Sequence, residues 1–336
     1  MAEMMNAVVW RAPASTGATG AFVDEQLPKP EASAPHDLLV EVKAVAVNPV
    51  DMKVARGTAP GAADRVLGWD AAGVVRAVGP EATLFQPGDA VFYAGALNRP
   101  GSFEQYQLVD ERLVGHMPAS LSFAQAAALP LTSLTAWECL FDKLALTQST
   151  TGTLLVLGGA GGVGSMVVQL AKGLTRLKVI ATASRPESKQ WALRLGADAT
   201  VDYTAADYAE QILAAAPGGV DYTFTSQSKG CIPLLKQVMR PFGQIVAIDD
   251  EPDLDIYALK DKALTWHWEL MFTKSLYGYH LGSQGEILNR VAKLIDDGEI
   301  ISTVSKTYSP INADQISAAE AELGAGHATG KIVVAN

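Results

Sequence analysis

Two cysteines, Cys139 and Cys231, are all that the 336 residues contain. A structural zinc site needs about four clustered nitrogen or sulfur ligands, and a disulfide framework needs more cysteines than this. Neither organises the chain. The five histidines are scattered and never paired at metal spacing. Long hydrophobic runs are also missing: no stretch reaches the ~18 uninterrupted apolar residues that mark a membrane span. Basic residues are the minority, 26 against 36 acidic ones, and a net charge of −10 repels phosphate backbones and anionic lipid. No nucleic-acid and no membrane partner is expected. The opening MAEMMNAVVWRAP has no basic region ahead of an apolar one, so no signal peptide is expected, and the scarcity of thiols fits a reducing cytoplasm. Apolar material is plentiful. With 49 % hydrophobic and only 18 % charged residues, the chain can build real cores and is not disordered. Its length suggests about two domains.

The first third reads as short strands between turns. Asp37–Val47 places Leu39, Glu41 and Lys43 on one side and Leu38, Val40 and Val42 on the other. Ala71–Val78 stops at Gly79-Pro80, and QPGD at 86–89 is a turn. Ala90–Tyr93, Phe103–Val109 and Leu113–Met117 continue the pattern, which predicts a compact β-rich barrel. From Ser122 the chain reads helical, with Pro130 as a break or kink. From Thr153 apolar strands alternate with amphipathic helices. That alternation predicts an α/β unit, a doubly wound parallel sheet covered on both faces. Leu264–Phe272 reads as a further strand, Glu286–Asp297 as a helix, and Lys331–Ala335 as a last strand. On the Leu264–Phe272 strand, period-two spacing would put Trp266, Trp268 and Phe272 on one face, buried together in the core or at a contact.

After the strand Thr153–Leu157 comes Gly159-x-Gly161-x-x-Gly164, opening a helix. Glycines allow a tight turn and bring backbone N–H groups close to a pyrophosphate, and the helix N-terminus favours its charge. Gly161, Gly162, Val163 and Gly164 are the expected contacts. An NAD site usually carries an acid about 20 residues further on. That place reads Ser184, Arg185 and then Lys189, with no acid until Glu187. Serine and arginine can bind a 2′-phosphate that a carboxylate would repel, so NADPH is the expected cofactor. Ile248 and Asp249 end the fifth strand, where ligands border such sheets.

With these motifs in hand, the chain resembles the medium-chain dehydrogenase/reductase superfamily. VNPVDMKVARG (47–57), LGWDAAGVV (67–75) and LPLTSLTAWECLF (129–141) are similar to its quinone oxidoreductase branch, and more closely to the zinc-type alcohol dehydrogenase-like proteins. The resemblance implies a Rossmann domain over 129–269 and a discontinuous, β-rich GroES-like catalytic domain over 1–128 with 270–336. It also implies a homodimer whose sheets pair edge to edge near Trp266. Zinc-using relatives carry a cysteine ligand near 47–51 and a His-Glu pair where this chain has Trp69-Asp70. Those ligands are missing here, so no metal is expected and no zinc. Without a Lewis acid, alcohol oxidation loses its support. The branch implies hydride transfer from NADPH to a quinone or an α,β-unsaturated carbonyl. An alcohol or aldehyde dehydrogenase of the same superfamily and a non-catalytic NADPH-binding redox sensor are the alternatives.

The resemblance also points to site residues. Asn48 would donate to a substrate carbonyl; Asp51 would hold it in place or cap the helix that starts near Pro49. Trp69 would form an apolar wall or simply fill space. Tyr93 would donate to an enolate oxygen, or be a core aromatic with a satisfied hydroxyl. Thr132 and Thr135 would lie near the nicotinamide ribose or bond back to their own helix. Tyr203 would stack or hydrogen-bond near the 2′-phosphate.

Overall fold

The computed structural model describes residues 3–15 and 18–336; residues 1, 2, 16 and 17 lie outside the description. Eight strands come first: β1 (Met4–Arg11), β2 (Ala21–Pro28), β3 (Asp37–Ala46), β4 (Arg65–Val66), β5 (Ala71–Val78), β6 (Ala90–Tyr93), β7 (Tyr106–Asp110) and β8 (Val114–His116). Six follow: β9 (Thr153–Leu157), β10 (Lys178–Thr182), β11 (Ala199–Val201), β12 (Val220–Thr225), β13 (Met239–Ala247) and β14 (Thr265–Trp268). The last two are β15 (Val304–Tyr308) and β16 (Lys331–Ala335). The chain divides into two compact units. One comprises Met1–Leu131, Phe272–Gly298 and Ser302–Asn336; the other comprises Thr132–Met271 and Glu299–Ile301.

The second unit is a six-stranded sheet in the order β11-β10-β9-β12-β13-β14, with every pairing parallel. This is the doubly wound Rossmann order, which starts at the middle and reverses direction once. β9 reads TLLVL and is buried almost throughout, as a strand covered on both faces must be. Leu155, Ile180, Ile212, Leu235 and Ile245 build part of one core layer between sheet and helices.

In the first unit β3 is the hub. The larger sheet runs β15-β16-β3-β5-β6-β8, with β7 also paired to β3, and a second sheet runs β2-β1-β4. The unit is therefore β-rich, with helices at its margins. β16 lies antiparallel to β3, pairing Val333 with Ala46 and Val334 with Val45. The end of the chain thus sits beside the turn that follows β3. The helix Ala313–Gly324 packs against β2, β16 and the helix Pro49–Gly57.

Several elements differ from the sequence expectation. The strand expected over Phe103–Val109 begins at Tyr106, because Glu104 bridges to Ala7 of β1 instead of continuing along β3. The strand expected to reach Phe272 ends at Trp268. The chain turns after Glu269, so Phe272 does not share a face with Trp266 and Trp268; it packs edge-on against Trp69, 6.3 Å between ring centroids, within the first unit. Trp266 and Trp268 do meet, at 5.5 Å. The helix expected from Glu286 begins at Gly282. Pro130 opens a new helix, Pro130–Trp137, after a short one at Phe123–Ala127, and a π-helical turn follows over Glu138–Lys143.

Candidate functional site

In the second unit the candidate residues gather at the carboxyl ends of the parallel strands. The loop after β9 turns into the helix Gly162–Leu174 with Gly161 as its N-cap. A Cβ on Gly159 would lie 2.6 Å from the Ala181 side chain of β10, and one on Gly164 would lie 2.2 Å from the Gly158 carbonyl oxygen. Those two glycines are steric requirements of strand, turn and helix packing together. At Gly161 the same test meets only the Gly158 oxygen, at 3.4 Å. The first-turn N–H groups of this 13-residue helix, those of Gly162 and Val163 among them, have no partner within the helix and suit an anion.

At the end of β10, Ser184 is half-buried and Arg185 is exposed, just ahead of the helix Pro186–Arg194. The Lys189 ammonium lies 2.9 Å from Asp202. The Thr204 hydroxyl and Lys189 together pull the Asp202 carboxyl down to about 2. Tyr203, next to it, is 53 % exposed. Asp249 accepts from the backbone N–H and the hydroxyl of Ser228, both at 2.6 Å, tying the loop after β13 to the one after β12. Ile248 precedes it, half-buried. Thr132 and Thr135 are both buried on the helix Pro130–Trp137. The serine, the arginine and the free helix N-terminus fit a phosphorylated dinucleotide.

The four remaining candidates lie in the first unit. β3 ends at Ala46, and the chain passes through Asn48 into the helix Pro49–Gly57. The Asn48 backbone N–H donates to Asp51 Oδ2 at 2.7 Å, so Asp51 caps the helix instead of orienting the Asn48 side chain. The Asn48 amide nitrogen donates to Ala46 O at 3.1 Å and to Asp70 Oδ2 at 2.8 Å. Its oxygen accepts from the Lys331 ammonium. Both amide protons are therefore spent inside the protein, which corrects the expectation that Asn48 donates to a substrate carbonyl.

Asp70 is fully buried. Its other oxygen accepts from the Leu131 N–H at 2.8 Å, and Lys331 Nζ stands 3.2 Å from Oδ2. Burial pushes the Asp70 carboxyl up, while Lys331, Asn48 and Leu131 pull it back. Trp69 is fully buried, and its indole N–H donates to Ala96 O at 3.2 Å. Tyr93 pairs across the sheet with Ala71, the residue after Asp70. Its hydroxyl is buried and has no hydrogen-bond partner. Burial pushes the phenol above its ordinary range, so it keeps its proton. Glu104 bears electrostatically on Tyr93, and burial pushes its carboxyl up to about 8.

The partner residues Lys331 and Phe272 were missed at the sequence level. Both are far from Asn48 and Trp69 along the chain, and no local motif marks them. Cys139 and Cys231, both in the second unit, are free and buried, and burial pushes both thiols up.

A zinc ion does not fit this donor set. The indole of Trp69 offers a proton and no suitable lone pair. The Asp70 oxygens are already engaged by three donors, one of them a cation. Among the described residues no group of three or more His, Cys, Asp or Glu side chains could hold a metal ion. Among them, too, no helix is long and apolar enough to cross a membrane.

Comparison with known proteins accords with these observations. The profile of the alcohol dehydrogenase GroES-like domain matches residues 34–119, and that of the zinc-binding dehydrogenases matches residues 162–296. A zinc-type alcohol dehydrogenase-like protein of Staphylococcus epidermidis is 37 % identical over 309 residues, covering 89 % of this chain and 90 % of that one. An NADPH-dependent alkenal/one oxidoreductase of the Arabidopsis thaliana chloroplast is 32 % identical over 88 % of this chain and 71 % of its own length. A solved Rhizobium etli CFN 42 structure, named for the zinc-dependent alcohol dehydrogenases, superposes with a TM-score of 0.94 at 43 % identity, covering 100 % of this chain and 99 % of that one. With a Rossmann sheet, a GroES-like unit and relatives of this likeness over nearly its whole length, the chain belongs to the medium-chain dehydrogenase/reductase superfamily, among its zinc-type alcohol dehydrogenase-like oxidoreductases.

Proposed function

We propose that this protein is a zinc-independent, NADPH-dependent oxidoreductase that reduces a quinone or an α,β-unsaturated carbonyl. The observation that carries the reading is the Tyr93 hydroxyl, a buried proton donor with nothing to donate to, on the strand paired with the one that follows Trp69 and Asp70. When bound, a reduced nicotinamide supplies a hydride, the two electrons and one hydrogen that such an acceptor needs. The acceptor's own carbonyl takes the electron pair, and one proton completes the reduction. Tyr93 holds that proton at Oη and hydrogen-bonds the oxygen on which negative charge develops. Trp69 supplies an apolar wall, and Asn48 and Asp51 shape the turn beside it.

Gly159, Gly161, Gly162, Val163 and Gly164 would take the pyrophosphate, and Ser184 and Arg185 the 2′-phosphate. Tyr203, Thr132, Thr135, Ile248 and Asp249 are cofactor-side candidates of lesser weight. Lys189, paired with Asp202, is a further candidate on that side. The relative named for NADPH-dependent reduction of alkenals and alkenones supports the substrate class. Buried free thiols agree with a reducing cytoplasm.

The test is a screen of quinones and enones with NADPH and NADH in parallel. Turnover is expected on at least one acceptor, with a KM for NADPH at least tenfold below that for NADH, a margin that Arg185→Ala removes. The reading fails if NADPH binds tightly and no acceptor is reduced, which is how a redox sensor would behave. It fails equally if the purified protein carries stoichiometric zinc and loses activity on chelation.

A homodimer is part of the proposal. β14 is an edge strand paired only to β13, and Trp268 on it is 49 % exposed. An unprotected edge of this kind invites pairing with a second copy. Light scattering is expected to give the mass of two chains; a monomer at micromolar concentration would refute it.

A further inference from the structure

Among the described residues only one lysine or arginine is buried, and it is Lys331, at 4 % exposure. Burying an ammonium costs several kcal/mol unless it is paired and hydrogen-bonded. Lys331 opens β16, and its three protons find three acceptors: Val47 O at 2.7 Å, the Asn48 side-chain oxygen, and Asp70 Oδ2, 3.2 Å away. That is the full complement of an ammonium. Such a pair adds little net stability compared with apolar residues of the same volume, so its worth lies in what it orders.

What it orders is the Asn48 carboxamide. A carboxamide can be turned over, exchanging its oxygen and nitrogen with little change in shape. Here the ammonium requires the oxygen, and Asp70 and Ala46 O require the nitrogen. Turned over, the amide would aim its protons at a cation and its oxygen at a carboxylate. Asp70 in turn lies between Trp69 and Ala71, the partner of Tyr93 on the next strand. One ammonium therefore fixes the turn after β3 and the segment that carries the wall and neighbours the proton donor.

We propose that Lys331 is a positioning residue of the acceptor-side site, the built-in cation that locks Asn48, Val47 and Asp70 into one arrangement. The proposal rests on the reading above for its catalytic consequence, but not for its structural one.

The experiment compares the wild type with Lys331→Met and with the double variant Lys331→Met/Asp70→Asn, each assayed well below its own thermal midpoint. Exchange of the Asn48 side-chain amide protons is followed by NMR after selective asparagine labelling. Lys331→Met alone is expected to lower the midpoint, because it strands a buried carboxylate. It should cut kcat at least tenfold with NADPH affinity unchanged. The double variant is neutral at this place and should recover the midpoint but not kcat, and in both variants the Asn48 amide should exchange at least tenfold faster. If Lys331→Met does not fold, the double variant carries the test. The proposal is overturned if the double variant regains midpoint and kcat together, or if the Asn48 amide stays protected without the ammonium. Should the wild type reduce no quinone or enone, the proposed function fails while the exchange measurement still decides the role of Lys331.

Discussion

Replacing Tyr93 by phenylalanine is expected to lower kcat/KM for a quinone or enone about a hundredfold, the usual worth of one well-placed proton donor. NADPH affinity should not change. The thermal midpoint should hold or rise, and this sets the prediction apart from a generic core mutation. The Tyr93 hydroxyl is buried and bonded to nothing, and leaving such a group unsatisfied costs about 1–3 kcal/mol that phenylalanine does not incur. A structural hydroxyl would behave in the opposite way: its loss would destabilise the fold and leave the chemistry alone. Steady-state kinetics and a melting curve on the same preparation separate the two cases. A Tyr93→Phe protein with wild-type kcat would remove the phenol from the mechanism.

How legible this site was depends on the distance over which its residues meet. The glycine loop was readable because strand, loop and helix are consecutive, and the steric needs of Gly159 and Gly164 are satisfied within one βα unit and its neighbour strand. The capping role of Asp51 was readable for the same reason: it lies three residues from the N–H it accepts. What Asn48 does was not readable. Its amide protons go to Ala46 and Asp70 and its oxygen to a lysine 283 positions away, on a strand that reaches β3 only through antiparallel pairing at the end of the chain. The sequence signal that was available, a lysine opening an apolar last strand, says nothing about its partner. Period-two spacing failed at Phe272 because the chain leaves the sheet after Trp268 without a glycine or proline to announce it. The pairing of Lys189 with Asp202 was not readable either, because Asp202 follows the next strand of the sheet.

Raising the pH from 7 to 9 is expected to destabilise the protein, and Glu320→Gln to abolish much of that loss. Glu320, on the helix Ala313–Gly324, bears electrostatically on the carboxyl of Asp51 on the helix Pro49–Gly57, and the buried Asp51 Oδ1 and Glu320 Oε1 each lack a donor. Two carboxyls can share a hydrogen bond only if one keeps its proton. Burial pushes Asp51 up to about 7, and burial together with Asp51 pushes Glu320 up to about 10 against the pull of Lys331 and Arg56. Asp70 also raises Asp51. Both folded values exceed the unfolded ones near 4, so the folded state binds more protons across the interval. Stability is then full below about pH 4 and falls as the pH climbs through the folded values, at about 1.4 kcal/mol per pH unit for each such group. Between pH 7 and 9 Glu320 is the largest single contributor, because Asp51, at about 7, acts only near the start of the interval and Glu104 and Glu269, at about 8, act mainly over its first half. Asp202, held low by its surface partners at about 2, leaves this interval untouched. Denaturant melts of wild type and Glu320→Gln at pH 7 and pH 9 should therefore differ in slope by about 2–3 kcal/mol over the interval, with the variant the flatter. Parallel losses in the two proteins would mean that the two helices are not joined by a shared proton.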